Sequence, residues 1–169
     1  ELRGKVDTLL VAESYGLEAN FSHIAHEETD AIPGYVSAEM YGGRIDLRSL
    51  KTVTIDGETA RDFDDAISIE ETKTGYRLFV HITDVSHYIQ QGTELDRASY
   101  ARATSVYFPD AVYPMFPPKL SNGILSLNPK VDRLTLTAEM TFDAEGNSVS
   151  YKLYESVIHS DERMTYTIV

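Results

Sequence analysis

Two runs of strand-like residues, Leu134 to Phe142 and Val149 to Ile158, flank the pentapeptide Asp143-Ala144-Glu145-Gly146-Asn147, and together they predict a β-hairpin. Within the first run Leu134, Leu136, Ala138 and Met140 recur at every second position, the period at which a strand presents one face. Thr52-Val53-Thr54-Ile55, Ala66-Ile67-Ser68-Ile69 and Tyr76 to Ile82 are further β-branched or aromatic runs bounded by turn residues, and they read as strands.

Helical signals lie elsewhere. Residues 5 to 31 predict two short helices, the first carrying Val6, Leu9, Leu10 and Val11 with Gly16 near its end, the second carrying Phe21, Ile24 and Ala25. Pro33-Gly34 stops that run, and residues 34 to 50, with Gly42-Gly43, read as an extended arm. Thr93 is a candidate N-cap for a helix reaching about Ala103, with Glu94 and Asp96 in its first turn. The Pro-rich stretch 109 to 118 suits neither element. The expected class is therefore α+β: a mixed, mainly antiparallel sheet with flanking helices. Both ends of the chain read as cut from something larger.

With 169 residues, 42% hydrophobic and 25% charged, the composition is that of one globular domain. No stretch is long and apolar enough to span a bilayer, and the first residues do not resemble a signal peptide. The absence of cysteine excludes disulfides and thiolate chemistry and makes a reducing cytoplasmic compartment the expected location. A net charge of −12 opposes general attraction to nucleic acid, whose phosphates are normally met by Lys and Arg. Divalent cations that reverse the charge locally, or a basic region outside this chain, would remove that objection.

The chemistry concentrates in Thr54-Ile55-Asp56-Gly57-Glu58-Thr59-Ala60-Arg61-Asp62-Phe63-Asp64-Asp65-Ala66-Ile67, which places five acidic residues within the ten positions from Asp56 to Asp65. Like charges this close raise one another's pKa and destabilise a site unless a cation sits among them. Oxygen donors without His or Cys suit Mg²⁺ or Mn²⁺ rather than zinc. Asp56 is expected at the end of one strand and Asp62 to Asp65 at the approach to the next, so that the turn folds the carboxylates toward a common centre. A second strand that begins early would put Asp62 and Asp64 on one face. By itself such a run is more often a solvated acidic loop. A calcium EF-hand fails in either register, because Arg61 or Ile67 stands where the loop needs glycine. Asp62-Phe63-Asp64 matches a bare phosphatase pattern but lacks the apolar strand before it.

The same segment resembles the signature of the ribonuclease II and ribonuclease R family, whose catalytic domain is called RNB. Val80-His81-Ile82-Thr83-Asp84-Val85-Ser86, Thr104-Ser105-Val106-Tyr107-Phe108-Pro109, Leu120-Ser121-Asn122-Gly123 and Ser126-Leu127-Asn128-Pro129 resemble successive family segments in the family's order, and the details favour the ribonuclease R branch. On this resemblance residues 1–43 are expected to form a helical connector, and residues 44–169 a truncated N-terminal portion of the RNB catalytic domain.

The resemblance implies processive hydrolysis of single-stranded RNA from its 3′ end to 5′-mononucleotides, with Mg²⁺ as cofactor and Mn²⁺ as a possible substitute. It implies metal binding at Asp56, Asp62, Asp65 and Asp64, catalysis through Asp64 and Asp62, and base stacking on Tyr107. Read without the family, a tyrosine in Val106-Tyr107-Phe108 is more often a core residue, and Arg61 fits a phosphate contact or a structural ion pair equally well. The family's OB-fold modules and a catalytic arginine are not in this chain, so the isolated chain is expected to be inactive. A sheet without its later strands is expected to expose an edge through which two copies can pair. A metal-binding module without catalysis and a purely structural fragment are the competing readings.

Overall fold

The computed structural model describes residues 2–169, with side chains from residue 7 onward. Besides a 3₁₀ turn over Ala38–Tyr41, within the stretch expected to be an extended arm, and a short helical turn over Leu120–Ile124, the elements in chain order are α1 (Leu2–Ser14), α2 (His23–Ala31), β1 (Ile45–Asp46), β2 (Thr52–Asp56), β3 (Asp65–Thr72), β4 (Gly75–Thr83), α3 (Val85–Tyr88), α4 (Glu94–Arg102), β5 (Val106–Tyr107), β6 (Val112–Tyr113), β7 (Asp132–Asp143), β8 (Ser148–His159) and β9 (Glu162–Thr165). The chain divides into two compact units, one of residues 1–32 with 86–121 and the other of residues 33–85 with 122–169. The α+β class expected from the sequence is the class observed.

In the first unit local capping explains the helices. The Ser22 hydroxyl accepts the Ala25 N–H at the start of α2, and Thr93 accepts the Asp96 N–H at the start of α4. The Glu28 carboxylate on α2 takes the N–H groups of Glu94 and Leu95 at 3.1 and 2.8 Å, where the helix dipole favours negative charge. Of the apolar residues that mark α1, Leu9, Leu10 and Val11 are exposed while Ala12 is buried. The side chain of Val6 lies outside the described residues. The Pro-rich stretch contains one short ordered piece, β6, paired with β5.

The second unit is a seven-stranded sheet ordered β1-β8-β7-β4-β3-β2-β9. The β7–β8 hairpin forms as expected, and Gly146 supplies the positive φ (85°) that its turn requires. The β3–β4 turn depends on Gly75, whose φ is 147° and where a Cβ would stand 2.2 Å from the Phe142 carbonyl oxygen. Two short parallel pairings close the sheet's ends, β1 on β8 and β9 on β2. On the outer side of β8 only Ser156 and Val157 are paired, so the edge along residues 148–155 is open among the described residues.

The two faces of this sheet invert the usual pattern. Thr52, Ser68, His81, Thr137 and Ser156 share one face and are almost wholly buried. They are linked in sequence: Thr52 to Ser68 at 2.7 Å, Ser68 to His81 Nε2 at 2.9 Å, His81 Nδ1 to Thr137 at 2.8 Å and Thr137 to Ser156 at 2.6 Å. Because each group satisfies its neighbour, the row tolerates burial. The opposite face carries Ile69, Ile82, Leu136, Tyr151 and Leu153, all exposed. A small apolar core of Phe63, Ala66, Leu127 and Ile158 sits where the acidic loop meets the sheet.

Candidate metal and phosphate site

Asp56 is the last residue of β2 and Asp65 the first of β3, so the loop between these strands carries the rest of the cluster. Asp62 and Asp64 precede β3 rather than lying in it. The early strand that would have put them on one face by alternation does not form, because the backbone at Arg61 and Phe63 bonds to Ser126 and Leu127 rather than to a neighbouring strand, and only the Asp64 carbonyl reaches the end of β4.

Those bonds define the loop. The buried Ser126 hydroxyl donates to the Arg61 carbonyl at 3.0 Å and accepts the Phe63 N–H at 2.9 Å. The Phe63 carbonyl takes the Leu127 N–H at 2.8 Å, and the Asp64 carbonyl takes the Thr83 N–H at 3.0 Å. Ser126 is itself fixed by Arg133, whose Nε donates to its carbonyl at 2.7 Å. Phe63 buries its ring in the small core, and the acidic side chains on either side of it are thereby left at the surface: Asp62 is half-buried and Asp64 exposed.

The electrostatics show that the four aspartates share one field. Asp56 has its pKa raised by burial first, then by the charges of Asp65 and Asp62, with Arg163 acting the other way. Asp64, exposed as a whole residue but with its carboxyl group partly screened from water by the surrounding loop, is raised by that desolvation first and then by Asp62, Asp65 and Asp56. Among the described residues no three His, Asp or Glu side chains are already spaced as a ligand set for one ion. The loop thus brings the four aspartates near one another without the convergence on a common centre that the sequence predicts. Their donor chemistry nevertheless fits a hard divalent cation, since all four offer anionic oxygen and none brings nitrogen or sulfur.

Tyr107 belongs to the other compact unit, on β5, and is exposed. Arg61 is also exposed. Arg102 lies 4.0 Å over the Phe21 ring and donates to the Glu18 and Asn20 carbonyls, and Arg97 pairs with Glu94, so both helix arginines have structural partners within their unit. Sequence reasoning singled out Ser126 only as part of a family-like segment and missed Arg163 altogether; that both hold the loop carries no local spacing signal, since their partners lie 63 to 106 residues away.

A loop carrying four neighbouring aspartates between antiparallel strands defines the class, and the family model for the RNB domain matches residues 44–169. The chain belongs to the RNB domain family. It is similar to ribonuclease R of Escherichia coli, 54% identical over 135 residues that make up 79% of this chain and 17% of that protein. Ribonuclease R of Thermotoga maritima is 53% identical over 140 residues, 82% of this chain and 20% of that one. The solved structure of Mycoplasma genitalium RNase R in complex with double-stranded RNA superposes with a TM-score of 0.92 at 30% identity, covering 97% of this chain and 29% of that chain. The chain thus spans about a fifth of the length of these curated relatives. Among the described residues no helix is long and apolar enough to cross a membrane.

Proposed function

We propose that this chain supplies the phosphate-cleaving aspartates of a cytoplasmic, processive 3′-to-5′ exoribonuclease that shortens single-stranded RNA to 5′-nucleoside monophosphates. The observation that carries this reading is the gathering of Asp56, Asp62, Asp64 and Asp65, whose charges raise Asp56 and Asp64, on a loop pinned by Ser126, Leu127 and Thr83. Family membership and likeness to ribonuclease R proteins support the RNA substrate.

Asp56, Asp62, Asp65 and Asp64 would hold Mg²⁺, with Mn²⁺ as a substitute. Such an ion supplies Lewis-acid polarisation of the phosphate and charge neutralisation at phosphorus. Asp62 and Asp64 flank the buried Phe63, which fixes where their carboxyl groups meet the substrate. Asp64, whose pKa is raised by desolvation and then by Asp62, Asp65 and Asp56, is with Asp62 the carboxylate on which catalysis would depend. The exposed ring of Tyr107 offers a surface for a base near the 3′ end, a contact indifferent to sequence.

The isolated chain, with a net charge of −12, is inactive in this reading, because the cationic surfaces that grip phosphates are supplied by the rest of such an enzyme. The test uses a 5′-labelled single-stranded oligoribonucleotide and this segment within a full-length ribonuclease R. Stepwise shortening that disappears with Asp64→Asn supports the reading. Mn²⁺ binding without any shortening favours a non-catalytic metal-binding module instead.

A further inference from the structure

Arg163 on β9 stands beside Thr54 of β2 in a parallel register that also sets Thr165 beside Asp56. From there its guanidinium reaches into the acidic loop. One terminal nitrogen donates to the carbonyls of Gly57 and Glu58, at 2.8 and 2.6 Å, which are the first two residues after Asp56. The same group lies 5.4 Å over the ring of Phe63, the residue between Asp62 and Asp64. One side chain therefore touches the loop at its beginning and near its end. The residues just after β9 reinforce the grip: the Tyr166 N–H donates to the Asp56 carbonyl at 3.2 Å, and the Thr167 hydroxyl to the Glu58 carboxylate at 2.5 Å.

The surroundings suit a site under tension between burial and charge. Arg163 Nε, Thr54 Oγ1 and Thr165 Oγ1 are buried without hydrogen-bond partners, and register places all three on the face of the β2–β9 pair that carries Asp56. Unsatisfied buried polar atoms are few in native proteins, so three on one face beside Asp56 call for a physical reason. An arginine placed only to neutralise carboxylates would turn its donors to their oxygens. Arg163 instead gives two bonds to main-chain carbonyls from one terminal nitrogen while its guanidinium carbon stands 5.4 Å from the centre of the Phe63 ring, within cation–π range, a reach and a broad cationic face that a lysine ammonium lacks.

We propose that Arg163 is a positioning residue for the aspartate cluster: by clamping the turn after Asp56 and packing on Phe63 it sets the separation between Asp56 and the Asp62–Asp65 group that receives a divalent cation. The inference rests on the metal reading above, and it makes an unusual demand of sign. As a bare positive charge beside the cluster, Arg163 weakens cation binding by repulsion, so neutralising it would tighten the site. As a clamp it strengthens binding, and removing it weakens the site even though a repelling charge has gone.

The experiment is titration of Mn²⁺ into the chain and its Arg163→Met and Arg163→Lys variants by calorimetry, with amide hydrogen exchange measured on each without metal. Outer-shell partners of metal ligands are worth roughly 10- to 100-fold in affinity. Both variants are expected to bind Mn²⁺ about tenfold more weakly, and exchange is expected to accelerate at residues 57–65 but not in the β7–β8 hairpin. Arg163→Met binding Mn²⁺ as tightly as the parent or more tightly overturns the clamp, as does Arg163→Lys behaving like the parent. Loss of protection across the whole sheet overturns it as well, showing a general structural role. Should Arg163→Met not fold, the lysine variant decides. If the unsubstituted chain binds no Mn²⁺, the metal reading fails, and the exchange rates alone judge whether Arg163 holds the loop.

Discussion

Ser126 bridges its own loop to Phe63: its hydroxyl accepts the Phe63 N–H at 2.9 Å while donating to the Arg61 carbonyl at 3.0 Å, with no part of Ser126 open to solvent. A buried N–H and a carbonyl on the acidic loop thus depend on one side chain. Ser126→Ala leaves the Phe63 N–H unsatisfied, a cost of about 1–3 kcal/mol. A fall in the urea midpoint of that order, with weaker Mn²⁺ binding, is the expected outcome; an unchanged midpoint would show that the loop is held by other contacts.

Asp64 is raised in pKa by desolvation and by three neighbouring aspartates, so its ionised form strains the fold. Asp64→Asn removes that strain. The variant is expected to melt at a higher temperature than the parent without metal, while its cleavage within a full-length ribonuclease R falls by on the order of 100-fold or more. A lower melting temperature would mean that the carboxylate is stabilised by partners rather than opposed by neighbours.

His81 is buried in the hydrogen-bonded row and its pKa is lowered by burial to about 4, against 6.5 when exposed. The folded state therefore resists a proton that the unfolded state accepts. Its contribution is intact above pH 6.5 and is lost as pH falls toward 4, a decline of about 3 kcal/mol in total. Denaturant melts across that window should show the slope, and His81→Gln should flatten it. An equal slope in both proteins would assign the acid sensitivity elsewhere.

Arg44 and Asp84 form an ion pair whose side chains are 5% and 3% exposed. Asp84 also donates its N–H to the Leu134 carbonyl, which ties the pair to the start of β7. Removing one partner strands a buried charge, so Arg44→Met is expected to destabilise the chain by roughly 3–5 kcal/mol. A double variant, Arg44→Met with Asp84→Leu, should recover much of that loss in thermal melts; no recovery would mean that the pair's other contacts carry the stability.

The open edge of β8 has Val149, Tyr151 and Leu153 exposed along it and a single lysine, Lys152, guarding it. Unpaired strand edges of this kind invite a second copy. Light scattering is expected to show a concentration-dependent dimer that Leu153→Lys abolishes. A chain that stays monomeric at every concentration would show that charge repulsion outweighs edge pairing.

Local chemistry in the sequence was enough to determine the hairpin and its turn, the strands around the acidic loop, the Thr93 cap and the concentration of carboxylates between Asp56 and Asp65. Each of these depends on residues a few positions apart, where periodicity and capping act. The burial of Thr52, Ser68, His81, Thr137 and Ser156 in preference to Leu136 and Ile69 was decided only by tertiary structure, because a polar row becomes tolerable inside when strands distant in sequence satisfy it. The hold of Arg163 on Gly57 spans 106 residues through a parallel pairing of β9 with β2 that no local pattern announces. Which acidic residues exist was written in the chain; how far apart they stand depends on groups brought in from elsewhere in the fold.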